Sequence, residues 1–271
     1  MNRITPSIFG AFSLTVGALF FFSAPGFGAI TRVNALHQYA ASPGTPYAIG
    51  TVTAGNLIVC SVSSGNNGTV SLSGSVNGAY TQLTQRIFDT SFSHDMFYKL
   101  SSGAGSESVT ITTANSDNGI NCAEYQDSGA GTWTLDTSIS VDGAAAGATA
   151  SPRSGNYTLS GTAVVYMSFA DETAAWTGAC GASVPCPTGS FTNIQWDNGH
   201  IDADAEWLTG SAGTYSDGWD ATSGASTHWS IFLAAFKTSS GGGSGATGSI
   251  TTTPGTGTIS TTPGTGSITT R

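Results

Sequence analysis

Hydrophobic and polar residues alternate along most of the chain with the period of a β-strand. Residues 70–76, 108–113 and 132–141 each place apolar side chains at every second position, which is typical of strands with one buried face. Residues 55–63 and 158–169 are instead apolar on both faces. Such runs predict central strands that are covered on both sides.

The segments between these runs are rich in glycine, serine, asparagine and threonine, and Asn77-Gly78 is a strong hairpin signal. The sequence contains no convincing amphipathic helix of ten or more residues. Short strands at this spacing without intervening helices predict an all-β fold. We expect a single antiparallel β-sandwich of jelly-roll type.

Both ends of the chain differ from the strand region. Residues 1–28 have a positive charge at Arg3, an apolar centre and small residues at the exit, the order of a secretory signal peptide. Cleavage is expected after Gly28 or Ala29. An uncleaved membrane anchor is the alternative, although the apolar run is short for a bilayer span.

The C-terminal residues 239–271 form a Gly/Ser/Thr/Pro-rich segment with a nine-residue repeat that begins at Ser249. This composition cannot bury a core and predicts a disordered or extended linker or tail. The sandwich domain is therefore expected to span residues 29–238.

The chain of 271 residues carries 16 acidic and 7 basic side chains, for a net charge of −9. Removal of the signal peptide takes Arg3 away and leaves the mature chain one unit more negative. This charge argues against binding to a nucleic-acid backbone, which requires clustered lysine and arginine. Together with the signal peptide, it predicts a secreted protein, extracellular or on the cell surface, without a membrane span after cleavage.

Four cysteines follow the export signal, and an even number in an oxidising compartment suggests disulfides. Cys180 and Cys186 flank a turn-forming insert and are expected to close one loop. Cys60 and Cys122 lie in apolar strand runs and would then pair across the core. The alternative for the second pair is two buried free thiols, which pack well as small hydrophobic groups.

Several strand motifs together resemble a known module. They are the run from Gly55 to Ser63, Phe97-Tyr98-Lys99, the run from Ser108 to Thr112, Ala123-Glu124-Tyr125 and the closing run from Trp229 to Lys237. They are similar to a β-sandwich module of secreted and surface proteins of bacteria, often found beside Thr/Pro/Gly linkers. The resemblance implies the fold and an extracellular setting, and it carries over no catalytic residue.

The run from His200 to Trp207 holds the most suggestive polar pattern. With period two, Asp202, Asp204 and Glu206 share one face. Hard oxygen ligands without a nearby base suit Ca²⁺, so these three residues form a candidate metal site, and Ca²⁺ is the one optional cofactor. The acids near 197–206 could also supply the carboxylate pair of a glycosidase. A third interpretation is a solvated outer face that keeps the sheet soluble.

Five of the six tryptophans lie at or after position 176. Trp207, Trp219 and Trp229 are expected in the core. Trp176 and Trp196 lie in or beside an irregular insertion and are candidates for a platform that stacks on sugar rings.

Three functions remain open from the sequence. The leading one is a non-catalytic extracellular binding or adhesion module whose partner is an extracellular polysaccharide or a cell-surface glycan. The second is a polysaccharide hydrolase that uses the acids near 197–206. The third is a structural spacer without a ligand.

Overall fold

The computed structural model describes residues 29–39, 41–65, 68–87, 93–100, 102–113, 118–142, 151–171, 186–187, 189–196, 202–220, 229–239, 248–251 and 260–263. All regular elements among them are β-strands, and no helix occurs in these ranges. The strands of the first half are β1 (Ile30–Gln38), β2 (Pro46–Val52), β3 (Leu57–Ser64), β4 (Ser71–Gly74), β5 (Gly78–Ala79), β6 (Thr81–Ile87), β7 (Ser93–Lys99), β8 (Gly105–Thr112) and β9 (Asn118–Asp127).

The second half continues with a comparable set of strands, and two short strands follow in the tail. They are β10 (Trp133–Asp142), β11 (Tyr157–Leu159), β12 (Ala163–Asp171), β13 (Cys186–Pro187), β14 (Thr192–Trp196), β15 (Asp202–Gly210), β16 (Gly213–Tyr215), β17 (Trp219–Asp220), β18 (Trp229–Thr238), β19 (Gly248–Thr251) and β20 (Ser260–Pro263).

Three larger antiparallel sheets form the protein, and they do not close into a barrel. Sheet 1 has the strand order β1-β9-β3-β7-β6, sheet 2 the order β2-β8-β4-β5, and sheet 3 the order β10-β18-β12-β15-β14. Three further pairs, β11–β16, β13–β17 and β19–β20, have two strands each. The predicted all-β, antiparallel architecture is confirmed, and the jelly-roll type stays a prediction.

Apolar side chains fill both faces of sheets 1 and 3. In β3, Ile58 and Cys60 pack in a cluster with sheet 2, while Leu57 and Val59 pack in a second cluster with sheet 3. The far face of sheet 3 contributes to a third cluster, to which the short strands β11, β16 and β17 also contribute side chains. This stacking explains why β3 and β12 are apolar on both faces, and their predicted central position is confirmed.

Sheets 1 and 3 repeat the same chain order. In each, the first strand of its half lies at one edge next to the last strand, followed by the first two-faced strand and then by two later strands. The pair β2–β8 of the first half likewise corresponds to β11–β16 of the second. The chain therefore consists of two halves with one strand order, and sheet 1 packs against its own counterpart.

The strand registers extend this correspondence to single residues. In sheet 1, Ser61 of β3 lies opposite Asn121 of β9, and in sheet 3, Ser168 of β12 lies opposite Phe232 of β18. Two ring contacts join β7 to β18: His94 with Phe232 at 4.8 Å and Tyr98 with Phe236 at 5.4 Å between centroids. These contacts show that β7 and β18 run in the same direction. Because β18 and β15 are both antiparallel to β12, β7 also runs in the direction of β15, its equivalent in sheet 3.

Ala29 and Ser239, which precede the first half and follow the second, lie beside the linker 128–132 that joins the halves. The Ala29 amide donates to Ser128 Oγ at 2.8 Å, and the Ser239 amide donates to the Thr132 carbonyl at 2.8 Å. Asp127 accepts the amide protons of Gly129 and Gly131 and so shapes this turn. We call this the proximal end and the opposite end of the sheets the distal end.

One disulfide joins neighbouring strands of sheet 1. Cys60 and Cys122 lie directly opposite each other in the β3–β9 register and are bonded. The predicted pairing is confirmed, but the expectation that it crosses the core is wrong, because both residues belong to the same sheet. Cys180 lies outside the described residues, so the Cys180–Cys186 bridge stays a prediction.

The terminal segments remain mostly outside the description. Residues 1–28, the predicted signal peptide, are not described. In the tail, β19 and β20 pair with each other through the register Ile250 with Thr261. Among the described residues, no helix is long and apolar enough to cross a membrane.

Candidate functional site

The acidic strand β15 alternates as expected, but both of its faces are covered. Ala205 packs in the outer cluster of sheet 3, and Trp207 packs against the same cluster. Asp204 has no exposed surface and Glu206 is 5% exposed. The interpretation of these two acids as a solvated outer face is wrong, because sheet 1 covers the face that carries them. The side chain of Asp202 lies outside the described residues.

Asp204 lies at the boundary between sheets 1 and 3. The hydroxyl of Ser61 in β3 lies 2.9 and 3.1 Å from its two carboxylate oxygens and donates to them. Burial raises the pKa of Asp204 to about 6, although the neighbouring hydroxyls of Ser168 and Ser61 favour the ionised form. The carboxyl group thus changes its charge near pH 6 while it is enclosed between the two halves.

His94 of β7 lies in the same boundary and binds the opposite sheet through both ring nitrogens. Its Nδ1 lies 2.6 Å from Ser230 Oγ, and its Nε2 lies 2.8 Å from Ser168 Oγ. Burial lowers the pKa of His94 to about 3, so the ring is neutral at physiological pH. One nitrogen donates and the other accepts, which two hydroxyl partners permit.

These residues include serine, histidine and aspartate but do not form a nucleophilic triad. In a triad, a carboxylate orients the histidine that activates the serine. Here both histidine nitrogens bind hydroxyl groups, and His94, Ser168, Ser230 and Asp204 have no exposed surface. The cluster therefore holds the two halves together and offers no nucleophile to a substrate.

Glu206 extends the polar boundary toward β1. Its Oε1 lies 3.2 Å from Arg32 Nη1, and the Arg32 side chain is 31% exposed while that of Glu206 is 6% exposed. Burial raises the pKa of Glu206, against the nearby Tyr125 phenol and the charge of Arg32. Burial and the Glu206 carboxylate raise the pKa of Tyr125 well above its usual range. This end of the cluster is an ion pair whose acidic member is buried.

The calcium prediction stays untested, but two of its three expected ligands have protein partners. Asp204 accepts from Ser61, and Glu206 pairs with Arg32. Within the described part of the chain, no group of three or more histidine, cysteine or acidic side chains is arranged to hold a metal ion.

The tryptophans divide as the sequence indicated for the core. Trp219 and Trp229 are buried, and the partly buried Trp207 packs against the outer cluster of sheet 3. Trp176 lies outside the described residues. The backbone of Trp196 lies opposite Ala203, where β14 and β15 meet the distal end, and its side chain is not described.

Sequence reasoning missed other buried acids, among them Glu124 and Glu107 in the layer between sheets 1 and 2. Glu124 of β9 accepts from Asn34, from the Thr53 amide at 2.9 Å and from Asn56 Nδ2 at 2.6 Å. Glu107 of β8 accepts from the Val76 amide and from the Tyr80 phenol. The sequence signal for such a residue is an acid at a strand position where the alternation predicts a buried side chain. Both carboxyl groups accept hydrogen bonds from uncharged donors, so their role is structural.

The connections between strands are distributed unevenly over the two ends. At the proximal end they are short: 53–56, 75–77, 100–104, 128–132, 160–162 and 211–212. The longer segments 143–156 and 172–191 leave β10 and β12 at the distal end of sheet 3, and the segment 216–228 enters β18 there. The distal end therefore carries the longest connections, on the side opposite both chain ends.

The chain matches no protein-family model, no curated protein and no solved structure. We therefore infer its function from its own residues and geometry alone.

Proposed function

We propose that this chain is a non-catalytic extracellular binding or adhesion module whose ligand is a carbohydrate. The observation that carries the proposal is the division between the two ends of the sheets. Ala29 and Ser239 leave the unit together at the proximal end, so a signal peptide, tail or neighbouring domain attaches there. The distal end then faces away from the attachment and is free to meet a partner.

The backbone of one candidate sugar-binding residue, Trp196, ends β14 at the distal end. Trp176 follows β12 in the sequence and lies outside the described residues. Long connections on a rigid sheet scaffold are the usual location of binding residues. An indole at such a position can cover the apolar face of a sugar ring at a low cost in side-chain entropy.

The hydrolase alternative has weaker support. A glycosidase needs two carboxyl groups that flank the bond to be cleaved. Asp204 is fully buried and Glu206 nearly so, and each has a partner inside the protein. Neither side chain can reach a polysaccharide in this arrangement, which favours binding without catalysis. The secreted location and the jelly-roll type are part of the same proposal.

A glycan-binding screen of residues 29–239, run with and without Ca²⁺, tests the proposal. We expect at least one class of glycan to bind, and Trp196→Ala to weaken that binding by about two- to tenfold, since an aromatic stacking contact contributes about 0.5–1.5 kcal/mol beyond the area it buries. Val76→Ala is the control, because Val76 is exposed in the proximal hairpin. Equal weakening by both variants, or no bound glycan, would favour the spacer.

A further inference from the structure

His94 and Asp204 are titratable groups that belong to one polar chain between the two halves. The chain runs from Ser230 through His94 to Ser168, and Ser168 lies opposite Asp204 in the β12–β15 register. Asp204 then binds Ser61 of sheet 1. The two groups thus approach the boundary from different halves, and Ser168 links them.

We propose that this pair makes the contact between the halves a proton-linked device. Asp204 takes up a proton when the surroundings become mildly acidic, while His94 stays neutral. The contact between sheets 1 and 3 therefore keeps its strength at a pH where a buried histidine alone would weaken it.

The other ionisable groups around the pair come from several strands. Tyr125 on β9 and Tyr166 on β12 interact with Asp204, and Glu206 on β15 and Arg32 on β1 lie beside Tyr125. Arg86 of β6 lies opposite His94 in the β6–β7 register. Glu206 pairs with Arg32. Burial is the largest of the causes that raise the pKa of each tyrosine well above its usual range. Asp204 and Glu206, whose pKa values burial raises, and His94, whose pKa burial lowers, are therefore the members of the cluster that link its stability to pH.

The two groups change stability in opposite directions. The pKa of Asp204 is about 6 in the fold and 3.8 ordinarily, so its favourable contribution is complete below pH 3.8 and is lost as the pH rises through 6. The pKa of His94 is about 3 in the fold and 6.5 ordinarily. Its contribution is complete above pH 6.5 and is lost as the pH falls toward 3. Between pH 3.8 and 6 the two slopes oppose each other.

Urea unfolding of the full chain between pH 4.5 and 8 tests the device. We expect a nearly flat profile of the urea midpoint for the wild type between pH 4.5 and 6.5. Relative to the wild type, Asp204→Asn should show a midpoint that falls as the pH drops below 6.5, because Asp204 no longer offsets the contribution of His94. His94→Gln should show a midpoint that rises as the pH drops over the same range, and the profile of the double variant should again follow that of the wild type.

The control is Asp220→Asn, because Asp220 has a half-exposed side chain outside the polar chain. It should leave the shape of the profile unchanged. Profiles of Asp204→Asn and wild type that run parallel would overturn the proposal.

A second measurement needs no variant of the buried pair to fold. The ring nitrogen chemical shifts of His94, followed by NMR in the wild type from pH 8 to 4.5, should stay those of a neutral imidazole. Over the same range, infrared spectroscopy should detect one buried carboxyl group that becomes protonated near pH 6. Titration of His94 near pH 6.5 would overturn the proposal.

Discussion

Ser61 and Asp204 join the two halves of the chain, because the Ser61 hydroxyl lies within 2.9 and 3.1 Å of the two carboxylate oxygens. Ser61 belongs to the strand that the sequence marks as most apolar, and Asp204 belongs to the strand it marks as most acidic. The contact turns the acidic strand from a candidate surface site into part of the interior. It is the reason why the functional proposal rests on the distal end of the sheets.

The ion pair of Arg32 and Glu206 should contribute measurably to stability. Arg32→Met keeps much of the aliphatic stem and leaves a buried carboxylate without its cation. We expect the free energy of unfolding at pH 7.5 to fall by about 1–3 kcal/mol, toward the lower value because Arg32 is 31% exposed and water screens its charge. Urea unfolding measures the loss.

The matched control for Arg32 is the double variant Arg32→Met with Glu206→Gln. Removal of the carboxylate charge should restore most of the lost stability, and the effect of Arg32→Met alone should shrink at pH 5, since Glu206 has a raised pKa. A double variant as unstable as Arg32→Met alone would contradict the ion-pair account.

The disulfide should be a major source of stability. Cys60 and Cys122 are separated by 62 positions in the sequence, and their bond restricts the unfolded chain over this distance. Replacement of both by alanine should lower the free energy of unfolding by about 2–5 kcal/mol. Thiol titration of the denatured wild type should detect neither cysteine. Two reactive thiols that disappear in the double variant would contradict the bridge.

Calcium removal separates the two interpretations of the acidic strand. Because Asp204 and Glu206 have partners inside the protein, we expect a chelator to leave the melting temperature unchanged. If calcium at a hundred times its dissociation constant were bound to the native state alone, it would stabilise by about 2.7 kcal/mol. A drop in melting temperature on chelation that Asp204→Asn abolishes would therefore restore the calcium site.

Gly74 provides a test of the packing around the buried Glu107. A Cβ atom at Gly74 would lie 1.7 Å from Glu107 Oε1 and 3.0 Å from Tyr80. Glu107 cannot move away without losing its bonds to Val76 and Tyr80. We expect Gly74→Ala to lower the free energy of unfolding by about 1–3 kcal/mol. Gly161→Ala, where a Cβ meets no atom within 4 Å, should change it by less than about 0.5 kcal/mol. Equal effects would contradict this packing.

The sequence was most informative about strands. The runs that became β3 and β12 are apolar on both faces, and the structure places both in the middle of their sheets. Alternation in β15 correctly separated Asp204 and Glu206 from Ala205 and Trp207. Period two shows that the faces of a strand differ, but it does not show what covers each face. Burial of Asp204 depends on Ser61, 143 positions away, which no local pattern records.

The repeated strand order was also missed. Equivalent positions such as Asn121 and Phe232 differ in chemistry, so the halves share a register without sharing a sequence. The role of His94 was likewise not recognisable from the sequence, because its two serine partners lie on distant strands. One pattern in the sequence could have revealed the two halves. Each half contains a strand that is apolar on both faces, and a second apolar run follows at the end of that half.

A polysaccharide pull-down combined with a reducing-end assay tests the proposed function most directly. Residues 29–239 would be incubated with a panel of insoluble and soluble polysaccharides, and both the bound protein and the released reducing ends would be measured. The account predicts that protein is retained on at least one polysaccharide without release of reducing ends, and that Trp196→Ala loses this retention. Release of reducing ends above the level of a heat-denatured control would contradict it.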